Sequence, residues 1–214
     1  MLSVWIIGAG HFGKKAASGF HARFTDMNIT LIDTNGEKLK GSNPRIICRD
    51  GIRWLDENLD VLDPRDIIIP AIPVHLAGEW LKLRLNRNFQ VKAMKMSPDL
   101  IQRFPNPISG GKGLIYTSHA DFICPDNCPE PKNICTHTGR KRAKDLYKLI
   151  ESLDSPSIHP IVIRSRQLFP GTGGFTVKAL QQAYQKAIQC FQRPLLMATA
   201  CKCHGVAEVF KVEI

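Results

Sequence analysis

The chain opens with a short apolar run, Val4 to Ile7, broken by glycines and followed by Ala16, Ala17, Phe20 and Phe24 at helical spacing. A continuous run giving way to a three-to-four-residue period predicts a buried strand, a glycine turn and an amphipathic helix. "NITLID" predicts a second strand. "PRIICRDGIRWLDENL" predicts a strand, a turn at Asp50-Gly51 and a short helix. "RDIIIPAIPVHLAGEWLKLRL" predicts a buried strand, a proline-flanked loop and a further helix, and "NFQVKAMKM" a fifth strand. Strands alternating with helices argue for a parallel sheet covered on both faces.

The pattern changes near residue 105, which divides the chain into expected segments 1–105 and 106–214. "FPNPISGGKGLIYTSHADF" is a Pro- and Gly-rich loop leading into the strand "GLIYTS". Gly110-Gly111-Lys112-Gly113 lacks the spacing of a P-loop and is expected to be a connection. Arg140, Lys141, Arg142 and Lys144 are expected to open a helix whose apolar face is Ala143, Leu146, Ile150 and Leu153. Cations at a helix N-terminus oppose the macrodipole, so four of them together point to a nearby anion or to a solvated basic face. "HPIVIRSRQLFPGTGGFTVKALQQAYQKAIQCF" predicts a strand, a second glycine loop (Gly171, Gly173, Gly174) and a helix with the stripe Val177, Leu180, Tyr184, Ile188 and Phe191. Such a loop before a helix is a candidate anion site.

The first glycine turn carries the clearest chemistry. Gly8-Ala9-Gly10-His11-Phe12-Gly13 follows a strand and precedes a helix, and Asp33 ends the next strand 20 residues beyond Gly13. In a dinucleotide fingerprint the first glycine permits the tight turn, the second lets backbone approach a pyrophosphate, and the third lets helix pack on strand. The acid then meets the ribose hydroxyls and repels a 2′-phosphate, which favours NAD over NADP. Gly8, Gly10, His11, Gly13 and Asp33 are the candidate cofactor-binding residues, on an expected Rossmann-like, parallel doubly wound α/β fold with a smaller C-terminal α/β segment.

The stretch from Val4 to about Leu85 resembles the NAD-binding regulatory domains of potassium transporters (TrkA-N-like), which share the GAGxxG turn and the acid ending the second strand. "IIIPAIPVHLAGEW" resembles, more locally, the fourth strand and loop of glucose-fructose oxidoreductase-like dehydrogenases. Those enzymes hold Pro and His near the nicotinamide, but the spacing of Pro73 and His75 fits only roughly. Their Glu-Lys-Pro after the fifth strand is absent; Lys95 is a poor substitute. What the resemblances imply is NAD binding; His75, and His11 inside the glycine turn, are the candidate catalytic residues.

Cysteine usage adds a second candidate. Cys124, Cys128 and Cys135 lie at C-x3-C-x6-C spacing, with His137 two residues on, and "TACKCHGV" adds Cys201, Cys203 and His204. Thiolates with an imidazole suit zinc or an iron–sulfur cluster. The spacing matches neither a structural zinc finger nor a ferredoxin run. A metal centre requires Cys201 or Cys203 to approach the loop; redox-active thiols and plain reduced cysteines are the alternatives. Cys48 and Cys190 fall in apolar patterns and read as small hydrophobes.

Charge and composition narrow the rest. The formal net charge of +10 favours a small anionic ligand or substrate. No nucleic-acid-binding motif accompanies it, so nucleic acid is not the expected partner. No apolar run approaches the roughly 20 residues of a membrane span. The chain enters its first strand without a cationic leader, so a cytoplasmic protein is expected. Its assembly is left open, a homodimer included. Three functions remain: an NAD-dependent oxidoreductase with a metal or redox site, a non-catalytic NAD sensor, and a thiol-based metal-binding protein on a Rossmann scaffold.

Overall fold

The computed structural model describes residues 2–24, 26–35 and 44–214. Strand β1 (Ser3–Ile7), helix α1 (His11–His21), β2 (Asn28–Asp33), β3 (Arg45–Cys48), α2 (Gly51–Asn58), β4 (Ile67–Pro70) and α3 (Leu76–Leu85) follow the predicted alternation. Then come β5 (Gln90–Met94), α4 (Pro98–Gln102), β6 (Ile108–Gly111), β7 (Leu114–Ser118) and α5 (Leu146–Glu151). The chain ends with β8 (His159–Arg164), β9 (Arg166–Phe169), β10 (Thr172–Thr176), α6 (Val177–Cys190), β11 (Leu195–Ala200) and β12 (His204–Glu213). Three helix starts carry side-chain caps: Asp50 accepts the Arg53 N–H, Ser97 that of Leu100, and Thr176 that of Ala179.

The fold is mixed α/β with two mixed sheets. The first runs β3-β2-β1-β4-β10-β9, its first four strands parallel and the last two antiparallel. The second runs β6-β7-β12-β11-β8, with only β8 and β11 parallel. The ten-residue β12 is long enough for β7 to pair with its beginning and β5 with its end along one edge.

Three expectations are corrected by this topology. A single parallel doubly wound sheet is replaced by two mixed ones. "NFQVKAMKM" does form a strand, but β5 joins the second sheet, because β10 occupies the open edge of β4 through Phe175↔Ile68. The second glycine loop is no helix-terminal cradle: Gly171, with φ +78, makes the hairpin turn, and Gly173 and Gly174 lie inside β10. A Cβ on Gly174 would meet the Ile68 carbonyl oxygen at 2.8 Å, so glycine lets the hairpin close on β4.

Packing joins the two sheets. One face of the first sheet (Val4, Ile6, Leu31) is covered by Ala16, Ala17 and Phe20 of α1. Its other face (Ile7, Ile32, Ile68) packs through α2, α3 and α6 onto Ile161, Ile163, Leu195 and Phe210 of the second sheet. Trp80 of α3 and Phe210 are fully buried in this cluster, each contributing roughly 1.5–3 kcal/mol of transfer free energy. Leu146, Tyr147 and Ile150 of α5 cover the far face of the second sheet. No helix among the described residues is long and apolar enough to cross a membrane.

Candidate functional site

The glycine turn is assembled as its spacing predicts. Gly8 has φ +108, and its N–H donates to the Ile32 carbonyl at 2.7 Å. A Cβ there would stand 2.4 Å from the Ala71 carbonyl oxygen, in a backbone conformation that L residues avoid. A Cβ on Gly13 would stand 1.9 Å from the Gly8 oxygen, so α1 rests directly on the turn. Gly10 differs: nothing lies within 4 Å of its Cβ position, and it precedes α1 with no side-chain cap and no acid in the first turn. The helix thus presents backbone N–H groups to open space. Asp33, at the end of β2, accepts the Ala9 N–H at 2.8 Å and that of Asn35 at 2.8 Å, which places its carboxylate beside the turn. His11 is exposed at the start of α1, edge-on to the exposed Phe12.

His75 faces inward. It is 3% exposed, its Nδ1 lies 2.9 Å from Glu208 Oε1, and its Nε2 lies 3.0 Å from Thr199 Oγ1. The second oxygen of Glu208 accepts from Lys82 Nζ at 2.6 Å, and Lys82 also donates to Glu79 at 2.8 Å. Both ring nitrogens are engaged, and His75 ties α3 to β11 and β12 rather than facing a ligand. Pattern reasoning missed Glu208 and Lys82, since nothing in "HGVAEVFKVEI" or "EWLKLRL" shows that the two meet.

The cysteine loop lies beside the same end of the first sheet. Lys15 of α1 reaches the Asp126 carboxylate at 3.5 Å, and Gln167 donates to the Cys128 carbonyl at 2.6 Å. The "CKCH" turn does meet the loop: Glu130 Oε1 accepts the Lys202 N–H at 2.7 Å. Cys201 Sγ accepts N–H groups from Cys203 and His204 at 3.4 and 3.3 Å. Burial nevertheless pushes the Cys201 thiol up to about 12, with Glu130 nearby. Burial raises Cys203 as well, with Arg142 opposing and Glu130, Cys128 and Cys124 adding to the rise. Cys124 is raised by burial and by Cys128 and Cys135. Cys135 alone is lowered, by the Thr138 hydroxyl and the N–H groups of Thr138 and His137. His137 stacks on Phe122, with ring centroids 4.5 Å apart. His204 Nδ1 stands 3.9 Å from Cys201 Sγ, and burial lowers its pKa.

All seven cysteines are reduced, and no three His, Cys, Asp or Glu side chains among the described residues stand close enough to hold a metal ion. The approach of the two segments that a metal centre requires is present, without a preformed set of three ligands among the described residues. Two buried nitrogens in this region have no protein partner, His119 Nε2 and Arg142 Nε. The expected basic helix start is corrected too: α5 begins at Leu146, and the cations precede it. Arg142 folds back on the loop, donating to the Pro131 and Lys132 carbonyls, so it braces the loop instead of opposing a helix dipole.

By class, then, this is a mixed α/β protein with a strand–glycine turn–helix element tied to an acid on the neighbouring strand. Residues 77–213, well over half of the chain, match the model of the AF_1314_C family, described as "Uncharacterized protein, C-terminal domain", and the chain belongs to that family. It is also similar to a protein of Archaeoglobus fulgidus described as "Uncharacterized protein", 28% identical, covering 96% of this chain and 98% of the relative. The family match begins at Ala77, in the first turn of α3, the helix that His75 and Lys82 tie to the second sheet.

Proposed function

We propose that the protein binds NAD(H) at the turn formed by Gly8, Gly10 and Gly13, and acts as a cytoplasmic oxidoreductase with the cysteine loop as its reactive element. The observation that carries this is the Asp33 carboxylate 2.8 Å from the Ala9 amide, beside an uncapped helix whose Gly10 opens onto empty space. These residues fit the cofactor. Amides at the start of α1 would hold a pyrophosphate, and Asp33 would meet the ribose hydroxyls and repel a 2′-phosphate. The bound nicotinamide would supply hydride chemistry. The parallel β3-β2-β1-β4 order also supports a Rossmann-like first half, as in the TrkA-N-like domains. The loop's contact with Lys15 supports placing the thiols near the bound cofactor.

Titration with both cofactors tests this. NAD is expected to bind at least tenfold more tightly than NADP; equal or tighter NADP binding overturns the role of Asp33. Tight NAD binding without NADH turnover on any acceptor would identify a sensor instead.

No metal-ligand set stands preformed among the described residues, which favours the thiols acting as such over a bound zinc ion or iron–sulfur cluster. In limited alkylation of reduced protein at neutral pH, Cys135 is expected to react first and Cys201 last, because the thiolate is the nucleophile. Stoichiometric zinc, or iron with sulfide, in anaerobically purified protein would replace this with a metal centre.

A further inference from the structure

The chain crosses from the second sheet to the first at Ser165, between β8 and β9, each the edge strand of its sheet. A cleft of about 410 Å³ opens in this seam, walled by β8, the β9–β10 hairpin and one face of α6. Arg65, Arg164, Arg166 and Lys186 line it with Gln182, over a floor that includes Ile67, Ile163 and Phe175; no Asp or Glu is among its lining residues. Arg65 is paired with Asp63 at 2.7 Å. The Arg164 guanidinium lies 4.5 Å from the Tyr147 ring centre, on the α5 side of the second sheet, which leaves Arg166 and Lys186 as the cations facing the cleft. Among the described residues, Arg166 and Lys186 form no ion pair. Uncompensated cations around a concave apolar surface focus a positive potential. The volume falls within the roughly 300–1,000 Å³ of small-molecule sites.

We propose that this seam cleft is a binding site for a small organic phosphate, its apolar body on the Ile67–Phe175 floor and its phosphate between Arg166 and Lys186. Guanidinium groups bind phosphate through paired N–H bonds, and the apolar floor supplies what inorganic phosphate cannot use. The site is separate from the nucleotide turn. It adjoins the beginning of β4, whereas Gly8 follows the end of β1, and the two strands are parallel. It therefore does not depend on NAD binding.

Calorimetric titration of the intact protein with phenyl phosphate, inorganic phosphate and phenol tests the proposal. Phenyl phosphate is expected to bind at least tenfold more tightly than either component, and more weakly as salt rises. The double variant Arg166→Gln/Lys186→Gln replaces exposed side chains and is expected to lose at least tenfold in affinity with unchanged thermal stability. Asp33→Asn is expected to leave this affinity unchanged, which separates the cleft from the nucleotide turn. Absence of phenyl phosphate binding, binding no tighter than phosphate alone, or full binding by the double variant would each overturn it.

Discussion

Replacing Glu208 with alanine is expected to lower the free energy of unfolding by about 3 kcal/mol, the scale on which breaking a buried ion pair destabilises a protein. Glu208 is 8% exposed and holds two groups from outside the second sheet, His75 at 2.9 Å and Lys82 at 2.6 Å. Removing the carboxylate leaves His75 Nδ1 without its acceptor inside the protein and leaves Lys82 with only the surface-facing Glu79. Burial alone would raise the Glu208 carboxyl, but hydrogen bonds and charge from His75 and Lys82 outweigh it and hold the group below the usual glutamate range. Burial likewise pulls Lys82 down, and Glu208 and Glu79 more than restore it, so its pKa is raised.

The signs give a pH window. A depressed carboxyl stabilises the fold above its unfolded value and loses that contribution as pH falls through the folded one. A raised ammonium stabilises below its unfolded value and loses the contribution as pH rises through the folded one. Denaturant unfolding followed from pH 7 downward should therefore show wild-type stability falling below roughly pH 4.3, with a smaller fall in Glu208→Ala. A variant as stable as wild type at pH 7 would remove the network from any role in joining the halves. Gly78→Ala probes the same joint from the other side. In an exposed helix it would add about 1 kcal/mol of stability, but here its Cβ would stand 1.9 Å from Glu208 Oε1 and 2.5 Å from His75 Nδ1, so a loss is expected.

Gly13→Ala is expected to destabilise the protein by about 2 kcal/mol and to weaken NAD binding at least tenfold. The gain in helix propensity is about 1 kcal/mol, while overpacking costs roughly 1–3 kcal/mol and can exceed that. The clash favours the high end, because the nearest atom, 1.9 Å away, is the Gly8 carbonyl oxygen, which cannot swing aside like a side chain. Relief requires α1 to move off the turn, and its amides move with it. Gly10→Ala is the matched control: its Cβ meets nothing within 4 Å, so stability should hold while NAD affinity falls. Unfolding curves and NAD titrations on both variants give the result. Unchanged NAD affinity in both would sink the turn as the nucleotide site.

Local spacing carried much of the first half. Strand, turn and helix from Val4 to Phe20, the placing of Asp33 beside the turn, and the core positions Leu146, Ile150, Val177 and Leu180 all follow from periodicity and glycine chemistry. Most of these features depend on neighbours within one or two turns of chain, the range over which a pattern constrains backbone, and Asp33, 24 residues from Ala9, was placed by the spacing of the dinucleotide fingerprint. His75 was singled out as a residue near a strand's carboxyl end, but its partners lie 133 and 124 residues away. No local pattern encodes a pairing at that separation.

The same limit explains the sheets. Hydrophobic spacing shows that β5 is a strand, whereas the glycines of β10 read as a loop, and a strand's edge accepts any partner that arrives with matching register. Whether β4 continued into a parallel sheet therefore rested on a competition that β10 won by folding back through Gly171, leaving β5 to the end of β12. The cysteines and basic residues show the same division. Their identities and the stiffness of the loop were visible in the chain, whereas the meeting of Glu130 with Lys202, the bracing of the loop by Arg142 and the acid-free seam at Ser165 arise where distant segments are packed together by the shared core of the two sheets.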